Sequence, residues 1–244
     1  LSAMSESLYF AVIDLSSSFY QVEIEERDRD KASFRTRRGQ FRFRRMPLGG
    51  ANSPSVFSRL MSLVLRGLSP TICICYIDDC VTLSKSFDQA VENLELVLQR
   101  FRQSHLLLKP SKCKFFQLRI RFLGHYVSSA GVEVDTDKVA CITQWKFPSR
   151  TSSLRSFLGL CNYYRSYCPS FSTVAEPLNE MLRKGETVQW TERRQQAFDA
   201  LKQMLTTAPV LGLVRDDGDF VLDVDASMVG AGQFYNSIRT GIYV

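Results

Sequence analysis

A chain of 244 residues that is 45% hydrophobic and 11% aromatic can bury a substantial core, as one large or two to three small domains, and is too apolar to remain disordered. No apolar stretch approaches the length of a membrane span, and the first residues lack the basic head and long apolar centre of a signal peptide, so a soluble intracellular protein with no membrane partner is expected. The formal net charge of +6 favours polyanionic partners, and the seven cysteines fit reduced structural thiols better than a zinc module, because Cys73, Cys75 and Cys80 sit inside apolar runs.

Residues 1–7 read as the end of a helix. The apolar run Leu8-Tyr9-Phe10-Ala11-Val12-Ile13 then reads as a strand that delivers Asp14 at its end. A second strand over 20–25 leads into a hairpin around Arg38-Gly39-Gln40, within a basic segment spanning about 23–50. Here Arg37, Arg38, Arg42, Arg44 and Arg45 interleave with Phe34, Phe41 and Phe43. Strand alternation puts cations on one face and rings on the other, giving a ribbon that can track phosphates. For any single arginine, a solvated hairpin is the plainer account. Residues 53–65 are predicted to be helical, with Ser53 as cap, Pro54 at the first position, and Val56, Leu60, Leu63 and Val64 facing the sheet.

Residues 72–83 place Asp78 and Asp79 between two β-branched apolar runs, which predicts a hairpin with both acids at its turn. Adjacent carboxylates repel, so the pair makes sense if the turn is fully wet or if a cation neutralises it. For Ile77-Asp78-Asp79 alone the wet turn is favoured. Asp14, at the end of another apolar run, shifts the balance, since two strands delivering acids to one sheet edge could hold a pair of divalent metals.

Further along, Ser86 and Gln89 form a capping box for a helix reaching about Leu106, with Phe87, Val91, Leu94, Leu98 and Phe101 as its core stripe and Lys109-Pro110 as its stop. Strands over 113–117 and 121–127 are expected to complete the sheet. From about Asp135 the pattern turns helical, bends at Trp145 and Pro148, and continues in a helix over 154–167 with Leu154, Phe157, Leu158, Cys161 and Tyr164 inside. A helix over 191–205 buries Ala197, Phe198, Leu201 and Leu205, and a stretch of three strands starts at Phe220.

These motifs carry a resemblance. Asp14-Leu15-Ser16-Ser17-Ser18-Phe19-Tyr20-Gln21, Met46-Pro47-Leu48-Gly49-Gly50-Ala51-Asn52-Ser53-Pro54 and Tyr76-Ile77-Asp78-Asp79 follow the order and spacing of a reverse transcriptase palm. Phe122-Leu123-Gly124-His125, the run from Leu154 to Tyr164 and Phe220-Val221-Leu222-Asp223-Val224-Asp225-Ala226-Ser227 resemble the gypsy-type long-terminal-repeat retrotransposon version of the polymerase. The similarity spans essentially the whole chain.

The resemblance implies an α+β fold: an antiparallel palm sheet backed by helices with partial fingers over 1–127, a helical thumb and connection over 128–207, and the start of an RNase H-like domain over 208–244. It implies RNA-directed DNA polymerase activity on an RNA or DNA template, with transfer from a deoxynucleoside triphosphate (dNTP) to a primer 3′-hydroxyl. Two Mg²⁺ ions, with Mn²⁺ as a substitute, would be held by Asp14, Asp78, the supporting Asp79 and the Leu15 carbonyl. Phe19 stands at the sugar gate, and Leu48 and Gly49 in the nucleotide loop, where the family usually has Phe at 48 and Leu at 50. Phe122, Leu123 and Gly124 support the primer end. Asp225 matches the first metal-binding acid of RNase H, whose partners are expected beyond Val244, so RNase H activity is not expected from these residues alone. The location implied is a cytoplasmic particle, with entry to the nucleus. The rival reading is an inactive retroelement-derived remnant that binds nucleic acid or a protein partner.

Overall fold

The computed structural model describes residues 4, 6–184, 186–207, 211, 220–227 and 230–237, the last two segments as backbone alone. The chain divides into two compact units, Ala3–Ile120 and Arg121–Val244. The first holds a four-stranded antiparallel sheet in the order β4-β5-β1-β6, made of β1 (Tyr9–Asp14), β4 (Cys73–Tyr76), β5 (Asp79–Ser84) and β6 (Lys114–Gln117). The central β1–β5 pairing is uninterrupted from Tyr9 opposite Ser84 to Asp14 opposite Asp79. Ala11, Ile13, Cys73 and Cys80 on the sheet pack against Phe57, Met61 and Val64 of α1 (Ser53–Val64) and Leu94, Val97 and Phe101 of α2 (Phe87–Gln103).

Both helices exist as predicted, and part of each expected face is buried, Val64 on α1 and Leu94 and Phe101 on α2, while the rest of each stripe is displaced. On α1, Val56 and Leu63 are exposed, while Phe57, Met61 and Val64 are buried and Ser53 donates to the Pro47 carbonyl instead of capping. On α2, Phe87 and Val91 are exposed and Ala90, Asn93 and Val97 face the sheet. The reason is steric and polar together. Ala90 permits close approach, and the buried Asn93 amide donates to the Leu83 carbonyl at 2.8 Å and to Ser84 Oγ at 3.1 Å, tying α2 to β5. Asn93→Ala is expected to destabilise the protein by about 1–3 kcal/mol through the unpaired Leu83 carbonyl, read as a lower urea midpoint at unchanged slope. The capping box forms in part: Ser86 accepts from the Gln89 amide, and the Gln89 side chain accepts from the Lys85 amide.

Helix α2 stops at Gln103, earlier than the proline suggests. His105 adopts φ +55 and the Leu106 amide bonds back to the Phe101 carbonyl, a left-handed closure that satisfies a terminal acceptor. The predicted strand over 20–25 is replaced by a 3₁₀ turn, Ser18–Gln21, and a short non-strand pairing in which Ile24 donates to Arg44 and Met46 to Val22. The basic hairpin follows as β2 (Ser33–Thr36) and β3 (Gly39–Arg42).

In the second unit, the strand predicted over 121–127 breaks at Leu123-Gly124 into β7 (Arg119–Phe122) and β8 (His125–Ser128), which join β9 (Gly131–Val134) in a sheet of their own and do not extend the palm sheet. Both turn residues have positive φ, a backbone conformation that reverses the chain. The helices are α3 (Thr136–Thr143), α4 (Thr151–Tyr163), α5 (Phe171–Glu180) and α6 (Glu192–Thr206). All nine side chains predicted to be buried in the helices over 154–167 and 191–205 lie in one cluster. Helix α5 has no counterpart in the sequence reading; it carries Pro177 in its interior, buried with Ala175 and Leu178. β10 (Phe220–Ser227) pairs with β11 (Gly230–Ser237). The expected third strand and most of the N-terminal helical end lie outside the described residues. Among the described residues no helix is long and apolar enough to cross a membrane.

Candidate active site

Each acid reaches its place through the pairing of β1, β4 and β5. Asp14 ends β1 directly opposite Asp79, and Asp79 is also opposite Tyr76, which leaves Ile77 and Asp78 as the two turn residues. Opposed positions on antiparallel strands bring β-carbons within about 4.5–5.5 Å, so Asp14 and Asp79 repel at short range. Burial, then the Asp78 and Asp14 charges, push the Asp79 carboxyl above its ordinary range, against a smaller opposing pull from Lys112. Ile77 holds φ +58, a conformation that β-branched residues seldom accept.

A cavity of about 260 Å³ opens beside the turn, lined by Asp14, Leu15, Ser17, Ser18, Tyr20, Leu48, Asp78, Lys109 and Lys112. Ser18 donates to Asp78 Oδ2 at 3.3 Å, and Lys112 Nζ lies 3.4 Å from Asp14 Oδ2. The Lys109 amide donates to the Asp14 carbonyl at 2.9 Å. Ser18, Lys109 and Lys112 escape sequence reasoning. The Lys109-Pro110-Ser111-Lys112 string reads there only as a helix stop, although its proline opens a 3₁₀ turn that swings Lys112 to Asp14.

The sequence-derived residues divide. Leu48 lines the cavity and is 67% exposed, ready for an apolar contact. Gly49 has φ +85 with open space where a β-carbon would be. A β-carbon on Gly50 would come 2.6 Å from Ser53 Oγ, so the missing side chain makes room for the Ser53 bond to Pro47. Leu15 contributes to the lining while its side chain is buried in the core. Phe19 is outside the lining; its ring packs edge-on to Phe57 at 5.6 Å. Asp79 is outside it too. Among the described residues no three His, Cys, Asp or Glu side chains stand close enough to hold a metal; the neighbours of Asp14 and Asp78 are Lys112 and Ser18. Asp225 lies on β10 opposite Gly232.

The hairpin β2–β3 is exposed throughout. Phe34 lies opposite Phe41, stacked at 5.9 Å, and is 4.9 Å from the Phe43 ring. Arg42 pairs with Asp30 at 2.7 Å, and Arg45 with Glu23 at 3.1 Å. Among the described residues Arg37, Arg38 and Arg44 have no carboxylate partner.

Phe122, Leu123 and Gly124 lie in the second unit, at the β7–β8 turn, with Phe122 buried and His125 immediately after. His125 stacks on Tyr163 and Tyr167 and meets Tyr164 edge-on, and burial lowers its pKa against a smaller upward pull from Asp135. A histidine held neutral takes a proton in the unfolded chain before the folded one does. The expected result is therefore stability that is complete above about pH 6.5 and declines as pH falls toward the folded value; His125→Phe should flatten that slope in denaturation curves taken from pH 5 to 8.

A family model described as "Reverse transcriptase (RNA-dependent DNA polymerase)" matches residues 1–127. The chain belongs to the reverse transcriptase family. A second model, an RNase H-like domain found in reverse transcriptase, matches residues 190–240 of this reverse transcriptase chain. It is 33% identical over 234 residues to the retrovirus-related Pol polyprotein from transposon 297 of Drosophila melanogaster, covering 95% of this chain and 22% of that protein. It is 32% identical over 241 residues to the corresponding polyprotein from transposon 412 of the same organism (99% and 20%), and 32% identical over 232 residues to the transposon Tf2-3 polyprotein of Schizosaccharomyces pombe (95% and 17%). The chain thus spans about a fifth of the length of these relatives. The foamy viral protease-reverse transcriptase in complex with RNA/DNA hybrid has the same fold, with a TM-score of 0.85 at 22% identity, over 99% of this chain and 34% of that one. The same enzyme in complex with dsDNA gives 0.84 at 22% identity, over 97% and 50%.

Proposed function

We propose that this reverse transcriptase chain forms the polymerase core of a retrotransposon Pol protein, extending a primer on an RNA or DNA template with dNTPs. The observation that carries this reading is the meeting of Asp14 with the Asp78-Asp79 turn at one sheet edge, beside a cavity that also presents Lys109 and Lys112. Opposite charges on one wall suit a ligand that arrives with both phosphates and cations. Seven free thiols support an intracellular, reducing setting.

The donor chemistry fits hard divalent cations. All three side chains offer oxygen, and the Asp79 carboxyl is raised first by its burial and then by the Asp78 and Asp14 charges, which Lys112 only partly offsets. Held by Asp14 and Asp78, with the Leu15 carbonyl alongside and Asp79 in support, two Mg²⁺ ions, or Mn²⁺ in their place, would supply charge stabilisation at the attacking 3′-oxygen and the leaving oxygen. The protein's own groups do the rest. Lys109 and Lys112 neutralise the triphosphate, Ser18 keeps Asp78 oriented through its hydroxyl, and Leu48 with Gly49 gives the base and sugar an apolar, unobstructed edge. Phe19, the sugar-gate residue in this reading, packs on Phe57 just outside the cavity lining and would have to turn toward the sugar to screen it. The Leu123-Gly124 turn supports the primer end, and the arginines of the β2–β3 hairpin hold phosphates of the template.

Asp79→Asn tests the electrostatic half of this reading. A carboxyl whose folded pKa is raised costs stability in full above that value; the cost shrinks as the pH falls through it and is gone below the unfolded value near 4. The variant is expected to melt higher than the wild type at pH 7 without divalent ions. Mg²⁺ at about ten times its Kd should stabilise the wild type by roughly 1.4 kcal/mol, with a smaller gain in the variant. Equal melting temperatures with and without Mg²⁺ in the wild type would count against a cation site. The functional half is tested by extension of a labelled primer on RNA and DNA templates.

A further inference from the structure

The β7–β8 turn is held from outside by two consecutive side chains. Leu123 and Gly124 adopt φ +47 and +71, and only the glycine is at ease there. Tyr163, at the end of α4, donates its hydroxyl to the Leu123 carbonyl at 2.5 Å, and Tyr164 donates to the Gly124 carbonyl at 2.6 Å. The two rings meet edge-on at 4.9 Å and form a seat: a β-carbon on Gly124 would touch the Tyr163 ring and hydroxyl at 3.5 Å and the Tyr164 hydroxyl at 3.6 Å.

Satisfying a buried phenol accounts for Tyr164, which is 1% exposed. It does not account for Tyr163, which is 53% exposed and has water available as a partner, yet turns its hydroxyl to the carbonyl of the strained residue. The ring cannot easily swing away, because His125 stacks on it at 5.4 Å and is itself fixed by the 3.1 Å contact between Nδ1 and the Tyr167 hydroxyl. Burial pushes the Tyr164 phenol up to about 12, so it remains a donor at any working pH.

We propose that Tyr163 and Tyr164 are positioning residues for the primer end, fixing the Leu123-Gly124 backbone in the one conformation that presents the turn to the primer strand. This rests on the reading of that turn as the primer support. The hydroxyls touch protein backbone, so their effect on the reaction passes through the turn. The aromatic rings supply the packing, and the hydroxyls supply the register.

The test uses the full chain with Tyr163→Phe and Tyr164→Phe, each of which keeps the ring. Hydrogen exchange of the segment 120–128 is followed with and without an RNA/DNA hybrid carrying a recessed 3′-hydroxyl. In the free protein each variant should exchange about fivefold faster at this turn, the loss of one hydrogen bond, with the rest of the second unit unchanged. Unchanged exchange in Tyr163→Phe, whose exposed ring leaves folding intact, overturns the clamp whatever happens in Tyr164→Phe. The hybrid should protect the wild-type turn and protect it less in the variants. If it gives the wild-type turn no protection, the primer-support reading falls and the positioning role with it, while the free-protein exchange still reports on the clamp. In primer extension the variants should lose about tenfold in kcat at unchanged KM for dNTP. Losses in KM alone, or an equal weakening of dNTP binding in the absence of primer, would assign the tyrosines to general stability instead.

Discussion

Asp78→Asn is expected to lower primer extension by roughly 10³-fold or more while leaving template–primer affinity within a factor of about two. The substitution keeps the size of the side chain and its ability to accept from Ser18 Oγ, so the turn should survive. What disappears is one of the two negative charges that line the cavity, and each 1.4 kcal/mol of charge stabilisation removed from the transition state is a tenfold drop in rate. Asp14→Asn should behave alike, with the Lys112 ion pair removed as well. Single-nucleotide extension of a labelled primer, alongside fluorescence anisotropy at fixed salt, separates chemistry from binding. Extension by Asp78→Asn at the wild-type rate would remove the catalytic assignment. A wild-type chain that binds but never extends, under Mg²⁺ or Mn²⁺, would favour the non-enzymatic remnant.

The second large effect belongs to the basic hairpin. Replacing Arg37, Arg38 and Arg44 together by Gln should weaken hybrid binding by one to two orders of magnitude at about 0.1 M salt. It should also flatten the slope of log K against log salt by up to about 2.7, at roughly 0.9 for each duplex-DNA phosphate that is no longer neutralised. Arg42 and Arg45 make the internal control. Each already has a carboxylate partner, Asp30 and Glu23, so neutralising them frees fewer phosphates and is expected to change the slope less. If the triple variant kept both affinity and slope, the arginines would be solvating a hairpin and nothing more. The Phe34, Phe41 and Phe43 rings would then be the part of this ribbon left to explain.

The acids were legible because their signal is local. A two-residue turn between β-branched runs fixes the β4–β5 register and so places Asp78 and Asp79, and Asp14 shows itself as the end of another apolar run, although its pairing with Asp79 joins distant strands. The four residues Ala197, Phe198, Leu201 and Leu205 were legible for a similar reason, as a clean helical stripe on α6. Helix faces against the palm sheet were legible only in part: Val64, Leu94 and Phe101 are buried as expected. Reading by the helical spacing of apolar residues also chose Val56, Leu63, Phe87 and Val91, which are exposed, whereas close packing chose Ala90 and a buried Asn93 whose value depends on a carbonyl ten residues away. Phe19 shows the same limit: its spacing from Asp14 is visible in the sequence, but its partner Phe57 is not. Lys112 was invisible for want of a long-range signal, since its carboxylate partner is 98 positions earlier. The break at Leu123-Gly124 was hidden because leucine does not advertise a turn, and the tyrosine hydroxyls that hold it lie 40 residues on.

Ile77 sets stability and function against each other. A β-branched residue at φ +58, between Tyr76 and Asp78, keeps the turn in a costly shape, on the order of 1–3 kcal/mol for a conformation of this kind. Glycine there would relax the backbone and also widen the directions in which Asp78 can point. Breeding this chain for heat resistance would therefore enrich replacements at residue 77 early, and the survivors would be sturdier proteins with a wandering carboxylate. A heat-resistant form of this chain would have to draw its robustness from elsewhere, leaving its least comfortable residue in place.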